Sequence, residues 1–125
     1  MPTPREGGIW APPGPAVDDR GTVYVQVGNG ASTRVYDYSD SVLALGPDLR
    51  FDRRDPARSF SPTTWAQDNR GDADLGSSGP VLTPNGFVLA VGKSGTAYVL
   101  RQGRLGGIGG QVSATRLCRS YGGRA

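Results

Sequence analysis

Gly14-Pro15-Ala16-Val17-Asp18-Asp19-Arg20-Gly21, running on into Thr22-Val23-Tyr24-Val25-Gln26-Val27-Gly28, returns later as Gly79-Pro80-Val81-Leu82-Thr83-Pro84-Asn85-Gly86 and Phe87-Val88-Leu89-Ala90-Val91-Gly92. Each copy leads to a second strand-like run, Ser41-Val42-Leu43-Ala44-Leu45 in the first and Thr96-Ala97-Tyr98-Val99-Leu100 in the second. A repeat of this kind is a supersecondary unit that cannot bury its own apolar face, so it must stack on neighbours. Both short turns end in Gly, the residue that enters the left-handed region most cheaply. Val23, Val25 and Val27 alternate with Tyr24 and Gln26, the period of a strand with two different faces. Phe87 to Val91 reads as one residue shorter and apolar throughout, which predicts the more buried strand of the two.

Working outward from the repeat, composition points to a turn-rich β protein. The 125 residues include 20 Gly and 10 Pro, spaced between short Val, Leu, Ala, Tyr and Thr runs. No apolar stretch approaches the roughly 18 residues needed to span a bilayer, and Met1 to Gly8 lacks the apolar core of a signal peptide. The chain has no His and a single Cys, Cys118. That removes His-based metal sites, Cys clusters and nucleophile–His pairs. Cys118 reads either as a quiet buried thiol or as half of a bridge to a partner.

Charge is uneven. Residues 1–74 hold eight Arg and all eleven acids, and residues 75–125 hold five Arg, Lys93 and no acid. Arg101, Arg104, Arg116, Arg119 and Arg124 could meet nucleic acid or another anionic surface. Their scatter, without the interleaved aromatics that stacked bases require, favours solvated loop and edge positions, so a nucleic-acid partner is not expected.

The expected organisation is two blade-like repeats over about 8–60 and 75–121, with a loop insertion over about 50–78 and a further unit starting at 122–125. Residues 29–40 form a longer connection than their counterpart Lys93-Ser94-Gly95. Gly123 follows Gly79 at an offset of 44 residues, the length of a four-stranded propeller blade at about 40 to 45. The fold class is therefore all-β: about two to two and a half antiparallel four-stranded blades of a β-propeller, in an incomplete ring. Closed propellers have about four to eight blades, which predicts a fragment of a longer propeller or a shortened gene product. The missing neighbours would be further blades, a second copy of the chain, or another protein. Leu105-Gly106-Gly107-Ile108-Gly109-Gly110-Gln111 lacks phosphate-loop order and reads as a flexible inter-strand loop. Asp74-Leu75-Gly76-Ser77-Ser78-Gly79-Pro80 reads as a stretch whose small residues let the chain pass close to a neighbouring backbone. Trp10 and Trp65 are expected between blades, docking adjacent sheets.

Taken in order, Val23-Tyr24-Val25-Gln26-Val27-Gly28-Asn29-Gly30, Asp40 to Leu45, the Pro62-Thr63-Thr64-Trp65 loop, Gly79-Pro80-Val81-Leu82 and Gly92 to Leu100 resemble successive segments of PQQ-type quinoprotein β-propellers. The resemblance covers nearly all of residues 8–125. It implies one of two functional classes, since fold alone does not separate them. PQQ-like repeat proteins bind no quinone and serve as scaffolds or binding surfaces. The dehydrogenases of alcohols or sugars hold pyrroloquinoline quinone over calcium and use a carboxylate as base. Relatives with this repeat are commonly exported.

Carried over residue by residue, Asn29 matches an Asn ligand to calcium, whose alternative is a plain Gly-Asn-Gly turn. Trp65 matches a Trp of the cofactor site that precedes the catalytic Asp, but Ala66 stands where that Asp belongs. Asp68, Asp72 or Asp74 could substitute as base; solvated loop carboxylates beside Arg70 are the alternative. The broken catalytic pair favours a noncatalytic binding or scaffold segment without cofactor. A PQQ- and calcium-dependent dehydrogenase segment is the alternative, and binding through the basic second half is a weaker one.

Overall fold

The computed structural model describes residues 6–119. Among the described residues nine strands make two open sheets: β1 (Ala16–Val17), β2 (Val23–Val27), β3 (Ser41–Leu45), β4 (Ser59–Ser61), β5 (Val81–Leu82), β6 (Phe87–Val91), β7 (Thr96–Arg101), β8 (Gly107–Ile108) and β9 (Ser113–Arg116). The first sheet has the order β1-β2-β3-β4-β8 and the second β5-β6-β7-β9. All pairs are antiparallel except β4–β8. One short helix, α1 (Trp65–Gly71), and two 3-10 turns, Pro56–Arg58 and Leu75–Ser77, lie in the connections. The protein is all-β.

The two repeats fold alike because equivalent residues close equivalent turns. Asp18 N–H donates to Thr22 O (3.1 Å) and Thr83 N–H to Phe87 O (2.9 Å). Thr22 N–H then donates to the Asp18 carboxylate (2.9 Å), and Phe87 N–H to the Thr83 hydroxyl (3.0 Å). Gly21 (φ 81°) and Gly86 (φ 90°) occupy the left-handed position that completes each turn. Through these turns Val23 corresponds to Val88, and Tyr24 to Leu89.

That correspondence fixes how the sheets stack. The core between them takes Tyr24, Val42, Ala44 and Phe60 from the first sheet and Val88, Ala90, Tyr98 and Leu100 from the second. The Phe60 and Tyr98 rings meet with centroids 5.2 Å apart. The first sheet therefore contributes the Tyr24 face, whereas the second contributes the face equivalent to Val23. The sheets pack front to back, in the same sense, and not as a two-fold sandwich. Opposite faces of both remain apolar: Val17, Val23 and Leu45 align on one, and Val81, Leu89 and Val99 on the other.

Three features lock this stack. Residues 74–78 wedge between the ends of β2 and β6, so closely that a Cβ on Gly76 would lie 2.2 Å from Gly28 N and one on Gly92 2.5 Å from Asp74 O. Gln26 reaches across from β2, its side-chain amide donating to Leu75 O (2.7 Å). At the other end Tyr24 Oη accepts from Gly103 N–H (2.9 Å). The 102–112 connection also crosses to the first sheet, where Leu105 is fully buried, Leu105 N–H donates to Ala57 O (2.9 Å), and β8 pairs with β4.

Five expectations change. The 50–78 stretch, expected as an insertion loop, supplies β4, α1 and the wedge. Residues 105–111, expected as a flexible loop, contain β8, because β4 offers an open edge that the glycine-rich backbone can approach. β6 is as long as β2 and less buried. Residues 6–10 cross the end of the first sheet's outer face, where Gly28 N–H donates to Gly8 O (2.9 Å), whereas the equivalent segment at β6, residues 74–78, lies on its inner face. Trp10 is exposed and Cys118 is an exposed free thiol. The proposed start of a further unit at 122–125 lies outside the described residues.

Gly76→Ala should lower the unfolding free energy by about 2 to 3 kcal/mol through backbone overpacking. Gly71→Ala, where an added Cβ meets nothing within 4 Å, should change it by less than about 1 kcal/mol. Denaturant unfolding of both variants measures the contrast.

Candidate functional site

The chemistry-bearing residues gather where the wedge meets the strand ends. β2 runs into Gly28-Asn29-Gly30, β6 runs into Gly92-Lys93, and α1 delivers Asp72 and Asp74 between them. Asp72 closes the helix in a left-handed conformation (φ 53°). The chain then turns inward, and Asp74 is buried.

Asp74 is the hub. Its Oδ1 accepts from Asn29 N–H (2.7 Å), its Oδ2 from the Lys93 ammonium (2.6 Å), and its carbonyl from Lys93 N–H (2.9 Å). Asp72 Oδ1 accepts from the Asn29 side-chain amide (2.8 Å) and lies 3.7 Å from Lys93 Nζ. Hydrogen bonding to Asp74 raises the Lys93 pKa, against the opposing effect of burial, with further support from the charges of Asp74 and Asp72.

Asp40 is fully buried behind this cluster. Its Oδ1 accepts from Leu75 N–H (2.9 Å), while Oδ2 has no partner. Burial raises its pKa to about 7, opposed by the Leu75 hydrogen bond and reinforced by the charges of Asp68, Asp74 and Asp37. Asp68, within α1, accepts from the Thr64 hydroxyl (2.8 Å), and burial raises its pKa as well.

Of the residues singled out in the sequence, Asn29, Asp72 and Asp74 come together. Asp68 turns to Thr64. Trp65 stands at the far end of α1, edge-on to Tyr36 at 5.5 Å, in an aromatic row continued by Tyr38 and Phe51. Sequence reasoning misses Lys93, Asp40 and Gln26. The one signal for Lys93 is that it is the sole lysine in a chain whose other cations are all Arg.

The cluster does not fit calcium as it stands. The buried Asn29 Oδ1 has no partner and is the kind of carbonyl oxygen calcium takes. However, the Lys93 ammonium already bridges the two carboxylates, and calcium needs about six to eight oxygen ligands. Among the described residues no set of three or more His, Cys, Asp or Glu is placed to hold a metal. What the arrangement does is tie three segments together through an internal cation.

The basic residues do not converge. Arg101 and Arg104 sit at one end of β7 and Arg116 pairs opposite Thr96 at the other. Arg101 lies over the Phe87 ring, 5.8 Å from its centroid. Arg124 lies outside the described residues. No helix among the described residues is long and apolar enough to cross a membrane. Comparisons with protein-family models, curated proteins and solved structures find no match.

Two outcomes follow for stability. Lys93→Met should lower the unfolding free energy by about 2 kcal/mol, under the roughly 3 to 5 kcal/mol of a fully buried pair because Lys93 is partly solvated. Adding Asp74→Asn should recover more than half of that loss; urea unfolding measures both. For Asp40, the folded state keeps a proton that the unfolded state releases above a pKa of about 3.8. Its stabilising contribution is full below pH ~4 and is lost as pH rises through about 7, by up to about 1.4 kcal/mol per pH unit. Subtracting the Asp40→Asn profile from the wild-type profile between pH 4 and 8 should expose that falling slope.

Proposed function

We propose that the two sheets are successive blades of a PQQ-like β-propeller array and that the chain acts as a noncatalytic binding or scaffold surface. The observation that carries this reading is the front-to-back stack of two repeats whose outer faces are both apolar. A self-contained sandwich turns its polar faces to water, whereas blades need apolar surface on both sides because each has two neighbours. The order strand, tight turn, strand, connection, strand, strand holds for β1-β2-β3-β4 and, with β8 interposed and joined to the first sheet, for β5-β6-β7-β9, and it supports the same assignment.

The noncatalytic part rests on the cluster around Asp74. A general base must present a carboxylate with reach to a substrate proton. Here Asp74 is committed to Asn29 and Lys93, and Asp68 to Thr64. Ala66 occupies the position that the dehydrogenase pattern assigns to Asp.

Calorimetric titration of the folded chain with PQQ, with and without calcium, tests this. The expected result is no calcium-dependent heat, with Asn29→Ala lowering stability and leaving the titration unchanged. Saturable, calcium-dependent binding that Asn29→Ala abolishes would make the dehydrogenase segment the better account.

A further inference from the structure

We propose that the two outer faces are complementary docking surfaces, and that a second copy of this chain covers them head to tail. This rests on the reading of the sheets as successive repeats, and it identifies their partner. Aligned through the turns, the outer face of the second sheet (Val81, Leu89, Val99) is equivalent to the first-sheet face that the second sheet already covers (Ala16, Tyr24, Ala44). The outer face of the first sheet (Val17, Val23, Leu45) is equivalent to the face that does the covering (Leu82, Val88, Leu100). The internal interface is thus a template in which one chain's first sheet takes the next chain's second sheet. Val17 (58% exposed) and Val81 (56%) mark the two open faces.

The wedge supplies an independent fit. In the internal stack, Leu75 and Gly76 press into the end of β2 beside Gly28. The segment at the corresponding place before the first repeat is Gly8-Ile9-Trp10, whose carbonyl at Gly8 accepts from Gly28 N–H as Asp74 O accepts from Lys93 N–H. Ile9 (54%) and Trp10 (59%) are left exposed where Leu75 is buried. The place corresponding to the Gly28 end of β2 on the second sheet is an apolar groove lined by Ser77, Ser78, Val91, Gly92, Lys93 and Cys118, with Arg119 at its rim. Ile9 of a second copy is the apolar side chain suited to this groove, since the Trp10 ring lies against Gly28 of its own chain, beside Asp74, Ser77 and Lys93. Glu6, at the start of the same segment, is opposite in charge to Arg119.

The association is heterologous, so it propagates until the rotation closes. Because closed propellers hold about four to eight blades, two blades per chain close with two to four copies.

Sedimentation velocity of the full chain and of two face variants, Val17→Asp and Val81→Asp, tests the proposal. Both sites are exposed within one chain, so cooperative melting should persist. Wild type should assemble with rising concentration. Each variant alone should require at least tenfold more protein to do so, and an equimolar mixture should form a dimer that stops there, since each variant retains the face the other has lost. A wild type that melts cooperatively yet stays monomeric would overturn self-docking and leave the blade arrangement standing. Self-dimerisation of either variant alone at the concentrations where wild type assembles would overturn the head-to-tail order. Loss of cooperative melting in wild type itself would overturn the blade reading beneath it.

Discussion

Gly76 lies against the backbone of Gly28 because neither has a side chain to hold the two apart, and the stacking of the sheets depends on that approach. With the chain at Leu75–Ser77 seated there, Leu75 enters the core, its carbonyl accepts from Gln26, and its N–H donates to Asp40. Tyr24 and Gln26, the polar-tipped residues of β2, consequently face the second sheet, and the three valines lie on the opposite face, where Val25 and Val27 are already buried and Val23 is partly so. A strand that buries its Tyr and Gln toward its neighbour and presents valines on the other side is built to be covered twice.

The charged groups serve the same junction. Asp74, Lys93, Asp72 and Asn29 form a bonded set at the strand ends, where a bare carboxylate would be costly in its buried setting. Asp40 handles burial differently, by holding its proton toward neutral pH. Acid chemistry concentrated in one place thus has a structural account here, with the Lys93 ammonium between the Asp72 and Asp74 carboxylates.

The sequence discloses the repeat because the turn chemistry is local: Asp18 or Thr83 at the start, Gly21 or Gly86 at the end, and a strand on either side. It likewise discloses the close passage at 74–80, since small residues in series have few other uses. It does not disclose β8, because Gly106 to Gly110 carries no strand propensity and pairs with a strand more than forty residues earlier in the chain. α1 spans seven residues, too short for a helical period. Lys93, Asp40 and Gln26 escape because each finds its partner far along the chain, once the stack exists. The lesser burial of β6 escapes for a further reason: apolar composition records what a strand can bury, while exposure depends on what is present to cover it.

The face of the first sheet that meets the second is the central claim, and methyl and aromatic nuclear Overhauser contacts in the dilute chain test it most directly. The account predicts contacts from the Tyr24 ring and Val42 methyls to residues of the second sheet such as Val88 and Leu100, with none from Val23 or Val25. Contacts from the Val23 and Val25 methyls to Val88 or Leu100, with Tyr24 free of the second sheet, would contradict the front-to-back stack.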